Sequence, residues 1–168
     1  LAAIRNPDPV IFLEPKRVYR LVKQMVPDNG EALPLDRCFV LREGHDITLI
    51  SWGAMLHETQ QAAEELNKQG ISAEVIDVAT IKPLDIQTMI ASVEKTGRCV
   101  IIHEAARTCG VGGEIAAQLQ EYAFDCLKAP IKRVTGYDTL MPYYQLEKHY
   151  MPCVKRILEA TTSTLEYA

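Results

Sequence analysis

One stretch of the chain, residues 46–85, constrains the fold most, because two short apolar runs flank a segment with helical periodicity. The first run, residues 47–50, is rich in β-branched residues, as is typical of a buried strand. Apolar residues then recur at helical intervals over residues 54–69, and Gly70 is a residue that ends helices readily. The second run has the apolar residues Val75, Ile76 and Val78. A helix between two such strands predicts a right-handed crossover that makes the strands parallel.

The rest of the chain continues this alternation of strands and helices. The other predicted elements are strands at 38–41, 99–102 and 131–135, helices at 85–96 and 114–127, and a final helix that begins near Pro152. This order predicts an α/β fold, a three-layer sandwich with a mostly parallel sheet. Ligands of such sheets bind beyond the carboxyl ends of the strands, so candidate functional residues are sought there.

The amino-terminal residues do not follow the alternation. Residues 10–13 are all apolar and are followed closely by Pro15, so they predict a strand, yet they have no strand partner nearby in sequence. We infer that this strand is the last one of a domain absent from this chain, or that it packs on another chain. Residues 16–26 predict a short helix or an extended arm, and residues 27–30 have turn composition. The predicted organisation is therefore a remnant of an upstream domain at 1–24, a linker at 25–36 and an α/β domain at 37–168.

Charge and composition argue against several classes of function. The 168 residues carry a net charge of −4, and nucleic-acid binding needs a basic face instead. The five cysteines are odd in number and form no C-x-x-C pair, so neither a disulfide framework nor a zinc site is expected. Histidines, cysteines and carboxylates show no spacing typical of metal ligands. Apolar runs are strand-sized, so no membrane span is expected, and the chain reads as a soluble protein of a reducing compartment.

The end of the third parallel strand carries the most suggestive polar residues. His103 and Glu104 stand there, and a loop with Gly112 and Gly113 precedes a helix whose free N–H groups could bind an anion. A tight strand-to-helix connection needs the same glycines, and the full dinucleotide-binding spacing is missing, so the structural reading is favoured. His103 is either a general base or a strand-end residue hydrogen-bonded to the backbone. The second reading is favoured because no nucleophile lies beside it in sequence.

Residues 136–150 form a predicted loop rich in tyrosine and proline. The tyrosines are Tyr137, Tyr143, Tyr144 and Tyr150. Aromatic side chains are enriched in protein–protein interfaces, so the loop is a candidate interaction surface. The alternative is a loop that folds back on its own core.

Seven segments together resemble one known family. They are residues 8–20, 46–58, 81–85, 93–98, 103–105 (His-Glu-Ala), 129–131 and 134–139 (Val-Thr-Gly-Tyr-Asp-Thr). Over nearly its whole length the chain is similar to the carboxyl-terminal part of the β subunit of the E1 component of 2-oxo acid dehydrogenase complexes. These are the pyruvate and branched-chain 2-oxo acid dehydrogenases, within the transketolase family. The expected fold is accordingly that of the transketolase carboxyl-terminal domain.

The resemblance implies a parent enzyme that oxidatively decarboxylates a 2-oxo acid, pyruvate or branched-chain, and acylates the lipoyl group of E2. It implies that residues 1–24 are a remnant of an upstream pyrimidine-binding domain, and that thiamine diphosphate and Mg²⁺ are bound upstream. This chain would then hold no catalytic, cofactor-binding or metal-binding residue and would be inactive alone. The implied partners are the E1 α subunit and a second β subunit in a heterotetramer, and the peripheral subunit-binding domain of the E2 acyltransferase. The implied compartment is the bacterial cytoplasm, or the mitochondrial matrix in a eukaryote.

The candidate residues for E2 docking are Asp138, Glu147 and the carboxyl-terminal end, and Tyr143 and Tyr144 of the aromatic loop are candidate interface residues. The acidic chain would attract a basic partner domain. The alternative from a different class is a free-standing α/β module that binds an anion or nucleotide near residues 110–114.

Overall fold

The structure, a computed structural model, describes residues 1–21, 23 and 25–167. The strands are β1 (Phe39–Arg42), β2 (Ile47–Ser51), β3 (Ala73–Asp77), β4 (Cys99–Ala106) and β5 (Lys132–Gly136). The helices are α1 (Ala2–Arg5), α2 (Met55–Lys68), α3 (Ile86–Thr96), α4 (Val111–Ala123), α5 (Glu147–Tyr150) and α6 (Val154–Leu165). Short 3-10 turns lie at Lys16–Val18 and Phe124–Cys126.

The strands form one sheet in the order β1-β3-β2-β4-β5. Strands β2, β3, β4 and β5 are parallel, whereas β1 pairs antiparallel with β3 at one edge. The predicted α/β fold with a mostly parallel sheet is therefore confirmed. The parallel strands bring their carboxyl ends to a single edge of the sheet, which is where the candidate residues of the sequence lie.

Helices cover both faces of the sheet. Alternate residues of β2 point to opposite sides, so Leu49 is buried beneath α2 and α6 and Ile50 is buried beneath α3 and α4. Both side chains are inaccessible to solvent. The two apolar clusters form the cores of a three-layer sandwich. Helices α2, α3, α4 and α6 are amphipathic because only one face of each meets the sheet.

Asp85 joins the edge strand to helix α3. Its carboxylate caps the helix by accepting a hydrogen bond from the Thr88 N–H at 3.2 Å, and it also accepts one from the Cys38 N–H at 2.9 Å. The Thr88 hydroxyl donates a third hydrogen bond at 2.6 Å. Burial alone would raise the pKa of Asp85, but these hydrogen bonds outweigh burial and lower it.

Several boundaries differ from those expected. Strand β4 continues to Ala106 instead of ending at Ile102, and α4 begins at Val111 instead of residue 114. The predicted loop between them is correspondingly short, and Gly112 and Gly113 belong to the first turn of the helix. The polar residues 103 and 104 suggested that the strand ends at Ile102. Strand β4 is longer because its pairing with β5 resumes between Ala106 and Gly136.

The strand expected at residues 10–13 does not form in the described part of the chain. These residues are extended but make no strand pairing, and Ile11 remains 88% exposed. A strand needs a hydrogen-bonding neighbour, and none lies beside this segment. Just beyond it, Arg17 forms an ion pair with Glu58 of α2, and Val18 packs against the core beneath α2. Of the short helix or extended arm expected at 16–26, here called the amino-terminal arm, the structure has a 3-10 turn at Lys16–Val18, and residues 22 and 24 lie outside the described residues.

Candidate functional site

His103 lies inside β4, at the carboxyl edge of the sheet. The alternation of the strand points its side chain to the same face as Ile101, towards α4, and only 1% of the residue is exposed. Its ring stacks on that of Trp52, which follows β2, with 5.3 Å between ring centroids and 9° between planes. The stack links the ends of two neighbouring parallel strands.

The glycines that precede and begin α4 allow this packing. A Cβ atom on Gly110 would lie 2.5 Å from His103 Cε1, and one on Gly112 would lie 2.7 Å from both Cδ2 and Nε2 of the same ring. Real side chains do not approach so closely, so a residue larger than glycine would have to displace the histidine or the helix. The arrangement supports the structural reading of this glycine-rich segment.

The ring nitrogens of His103 have no hydrogen-bond partner among the described residues. The expectation that this histidine is hydrogen-bonded to the backbone is therefore wrong, because aromatic and glycine surfaces enclose the ring. Burial lowers the pKa of His103, and the nearby positive charge of Arg133 lowers it further. The ring is thus held neutral, without a neighbouring group that would pair with it for acid–base chemistry.

The amino terminus of α4 offers little to an anion. Gly112 is buried against His103, and the Gly113 N–H already donates to the carbonyl of Gly110 at 2.9 Å. Glu114 places a carboxylate in the first turn, where it accepts a hydrogen bond from Gln118. A negative side chain there already interacts with the positive end of the helix dipole and would repel a second anion.

Residues 137–150 are here named the tyrosine loop. Its four tyrosines separate into two pairs. Tyr150 is buried, and the edge of its ring meets that of Tyr137, with centroids 6.2 Å apart. Tyr143 and Tyr144 are 96% and 88% exposed. The two readings of the sequence thus apply to different residues: one pair folds back on the domain, and the other pair projects from it.

Asp138 fixes the beginning of the tyrosine loop. Thr108 donates to its carboxylate from the backbone N–H at 2.8 Å and from the hydroxyl at 2.7 Å. These hydrogen bonds, the backbone one first, lower the pKa of Asp138. This candidate docking residue therefore has an internal partner, although it is exposed.

Glu104 and Glu147, far apart in sequence, line the same cleft. Lys16 and Arg17 of the amino-terminal segment line it as well, together with Tyr150. Glu104 faces away from His103, because successive residues of a strand point to opposite sides of the sheet. The structure therefore brings Glu104, a candidate of the strand-end site, together with Glu147, a candidate docking residue. It separates Glu104 from His103.

Sequence analysis missed Arg156, near the start of α6. Its guanidinium donates to the carbonyl of Thr135 at 2.6 Å and to that of Tyr150 at 3.3 Å. Its Cζ atom lies 4.7 Å from the centroid of the Tyr137 ring. A basic residue in an amphipathic helix carries no signal of such contacts, because they come from segments that only the folded chain brings together.

Among the described residues, no three histidine, cysteine or carboxylate side chains are grouped so that they could hold a metal ion. No helix in that same part of the chain is long and apolar enough to cross a bilayer.

Comparisons with known proteins identify the family of this domain. The family model of the transketolase carboxyl-terminal domain matches residues 36–157. The chain therefore belongs to the family of transketolase carboxyl-terminal domains. It is similar to a solved split-gene transketolase, described as an inactive β4 tetramer, with a TM-score of 0.72 and 27% identity over 86% of this chain and 46% of that one. A transketolase from Pichia stipitis shares the fold, with a TM-score of 0.54 and 12% identity over 76% of this chain and 18% of that one.

Within this family, the chain is similar to one group of curated proteins. The chain is 47% identical to the pyruvate dehydrogenase E1 component subunit beta of Staphylococcus epidermidis and 44% identical to that of Bacillus subtilis. Each match covers 99% of this chain and 51% of the relative. The chain thus spans about half the length of the curated relatives it matches.

Proposed function

We propose that the chain is the carboxyl-terminal part of the E1 β subunit of a 2-oxo acid dehydrogenase complex, with pyruvate as the substrate of the parent enzyme. The similarity to two pyruvate dehydrogenase β subunits supports this choice over a branched-chain substrate. The parent enzyme is an oxidoreductase that decarboxylates its substrate with thiamine diphosphate and Mg²⁺ and acylates the lipoyl group of E2. In this proposal both are held outside this chain, and the catalytic groups lie outside it as well. The enclosure of His103 and its lowered pKa support this, since they leave the ring without access to a substrate.

The role we propose for this part is assembly. The observation that carries the proposal is the exposure of Tyr143 and Tyr144 on a loop that is fixed to the domain at both ends. Exposed aromatic residues on a fixed support are typical of contact surfaces, because little side-chain entropy is lost when they bind. Leu140 and Leu146, both exposed, extend the apolar surface.

The first partner is a second copy of the β chain. A relative of similar fold is described as a tetramer of β chains, which supports self-association through this domain. The E1 α subunit and the peripheral subunit-binding domain of E2 are the further partners. Glu147 lies within the tyrosine loop, and with the overall charge of −4 it would attract a basic E2 domain.

The amino-terminal organisation belongs to the same proposal. Residues 1–24 are the end of the upstream pyrimidine-binding domain, and residues 25–36 link it to the domain described here. The exposure of the apolar residues 10–13 supports the inference that another domain or chain covers them in the parent enzyme. We place the protein in the bacterial cytoplasm, or in the mitochondrial matrix of a eukaryote.

Sedimentation equilibrium of this chain tests the assembly role. The wild-type chain is expected to dimerise, and the double substitution Tyr143→Ser with Tyr144→Ser is expected to weaken dimerisation at least about tenfold, because two aromatic anchors are lost. Tyr122→Ser is the matched control, since Tyr122 is exposed on α4, outside the tyrosine loop. A chain that stays monomeric, or a double variant that dimerises like wild type, would overturn the proposal.

Binding of the isolated E2 peripheral subunit-binding domain tests the second contact. Affinity should fall between low and moderate salt, because the attraction is between an acidic chain and a basic domain. Glu147→Gln should weaken binding at low salt and reduce the salt dependence. Binding that ignores both salt and this substitution would place E2 docking elsewhere.

A further inference from the structure

Arg156 contacts both ends of the tyrosine loop. The carbonyl of Thr135, near the end of β5, accepts a hydrogen bond from one terminal nitrogen, and the carbonyl of Tyr150, at the end of α5, accepts one from the other. The planar guanidinium also lies over the ring of Tyr137, the first residue of the loop. One side chain therefore spans the two points at which the loop leaves and rejoins the domain.

The position of Arg156 is itself fixed by the core. It is the third residue of α6, and its neighbour Ile157 is fully buried in the cluster beneath α2 and α6. The guanidinium is a rigid fork with several donors, so it can bond two carbonyls at once while its face rests on an aromatic ring. A lysine ammonium could keep the charge near the ring but could not reproduce the planar fork.

Packing around Gly136 also holds the two ends of the tyrosine loop together. A Cβ atom on Gly136 would lie 2.6 Å from Tyr150 Cε1 and 2.6 Å from the carbonyl oxygen of Glu104. The Tyr150 ring is therefore wedged against the end of β5, where Arg156 binds the Tyr150 carbonyl. The middle of the loop, between Asp138 and Glu147, projects from the domain and includes Tyr143 and Tyr144.

We propose that Arg156 is a positioning residue for the contact surface of the tyrosine loop. By closing the loop at its base it holds Tyr143 and Tyr144 in one orientation, so that association does not have to order the loop. Ordering a flexible loop on binding opposes association through lost conformational entropy. This inference rests on the assembly role proposed above. It means that Arg156 contributes to the affinity of self-association without belonging to the contact surface of Tyr143 and Tyr144.

The test compares substitutions at position 156 with a neighbour on the same helix. Arg156→Met removes both hydrogen bonds and the charge, Arg156→Lys keeps the charge, and Lys155→Met changes a side chain that is 85% exposed and makes only a 3.8 Å ion pair with Glu159. We expect Arg156→Met to weaken self-association on the order of tenfold through the ordering it adds to binding. Arg156→Lys should recover part of this loss, and Lys155→Met should have no effect.

Hydrogen exchange separates positioning from general destabilisation. In the Arg156→Met chain the amides of residues 139–149 should exchange faster, whereas the amides of β2 in the centre of the sheet should keep their protection. Equal loss of protection in β2 would mean that Arg156 only supports the fold. Unchanged exchange in the tyrosine loop would overturn the positioning role directly.

The outcomes distinguish this inference from the proposed function. If the Tyr143 and Tyr144 double variant dissociates but Arg156→Met does not, the assembly role stands and the positioning role is wrong. If the double variant associates like wild type, or if the wild-type chain is monomeric, the assembly role fails. The positioning of the loop is then decided by hydrogen exchange alone, and its contribution to affinity is withdrawn.

Discussion

The ring of His103 lies parallel to that of Trp52 at a centroid distance of 5.3 Å, across the ends of β4 and β2. In parallel α/β sheets this edge is where ligands usually bind. Here the polar ring is enclosed by an indole and two glycines, and its nitrogens find no partner among the residues described. At this point the edge of the sheet therefore serves packing.

Stability should depend on the protonation of His103. Its pKa in the folded chain lies below the ordinary value of about 6.5, so the unfolded chain takes up the proton first as the pH falls. The contribution of this histidine is fully present above pH ~6.5 and declines below it, until the folded pKa is passed. Urea unfolding between pH 5 and 8 measures this, with the fluorescence of Trp52, the single tryptophan, as the signal.

Two variants bracket the histidine prediction. His103→Phe removes the titrating ring, so the fall in stability below pH ~6.5 should become smaller whatever the absolute stability. His149→Gln removes an exposed histidine and should leave the fall as it is. A His103→Phe chain with the same pH dependence as wild type would show that another group titrates.

The two glycines in the first turn of α4 should respond oppositely to alanine. Gly112→Ala places a Cβ atom against the His103 ring and should lower the free energy of unfolding by about 1–3 kcal/mol through overpacking. Gly113→Ala meets only the end of the flexible Arg133 side chain, at 3.3 Å. It should be neutral or stabilise the chain by up to about 1 kcal/mol, because alanine favours helix over glycine. Equal effects in urea unfolding would contradict the close contact with His103.

Removing the Asp85 carboxylate should loosen the edge of the sheet. Asp85→Ala deletes the cap of α3 and leaves the Cys38 N–H without its acceptor, so we expect a loss of about 1–3 kcal/mol in the free energy of unfolding. Because the pKa of Asp85 is lowered on folding, its contribution is present above pH ~4 and is lost as the pH falls through the folded pKa. Asp28→Ala, at an exposed position outside the helices and strands, is the control and should not change the free energy of unfolding.

The ion pair between Arg17 and Glu58 should hold the amino-terminal arm on α2. Arg17→Met leaves the nearly buried Glu58 carboxylate without its charged partner, so both arm and helix should lose stability, by about 1–3 kcal/mol. Limited proteolysis with trypsin should then cut at Lys16 faster than in wild type. Arg20→Met, a control at an exposed position of the same arm, should leave cleavage at Lys16 unchanged. An arm that is equally resistant in the Arg17→Met chain would mean that Val18 alone anchors it.

Local patterns in the sequence were sufficient for the architecture of the domain. The helical repeat of α2 and the apolar runs of β2 and β3 predicted parallel strands with a crossover helix, and the structure has all three. Helix ends were also readable, since Gly97 adopts the left-handed conformation that ends α3. These features are encoded locally, because periodicity, caps and turns depend on residues a few positions apart.

Tertiary structure alone decided which residues meet at the carboxyl edge of the sheet. The stack of His103 on Trp52 joins residues 51 positions apart. In the tyrosine loop, one pair of tyrosines packs on the domain and the other projects, because Arg156 and Asp138 bind the base of the loop. Residues 10–13 have a strand-like sequence but lack a strand neighbour. Pairing, stacking and enclosure depend on groups supplied by distant segments or by other chains, and local composition does not specify them.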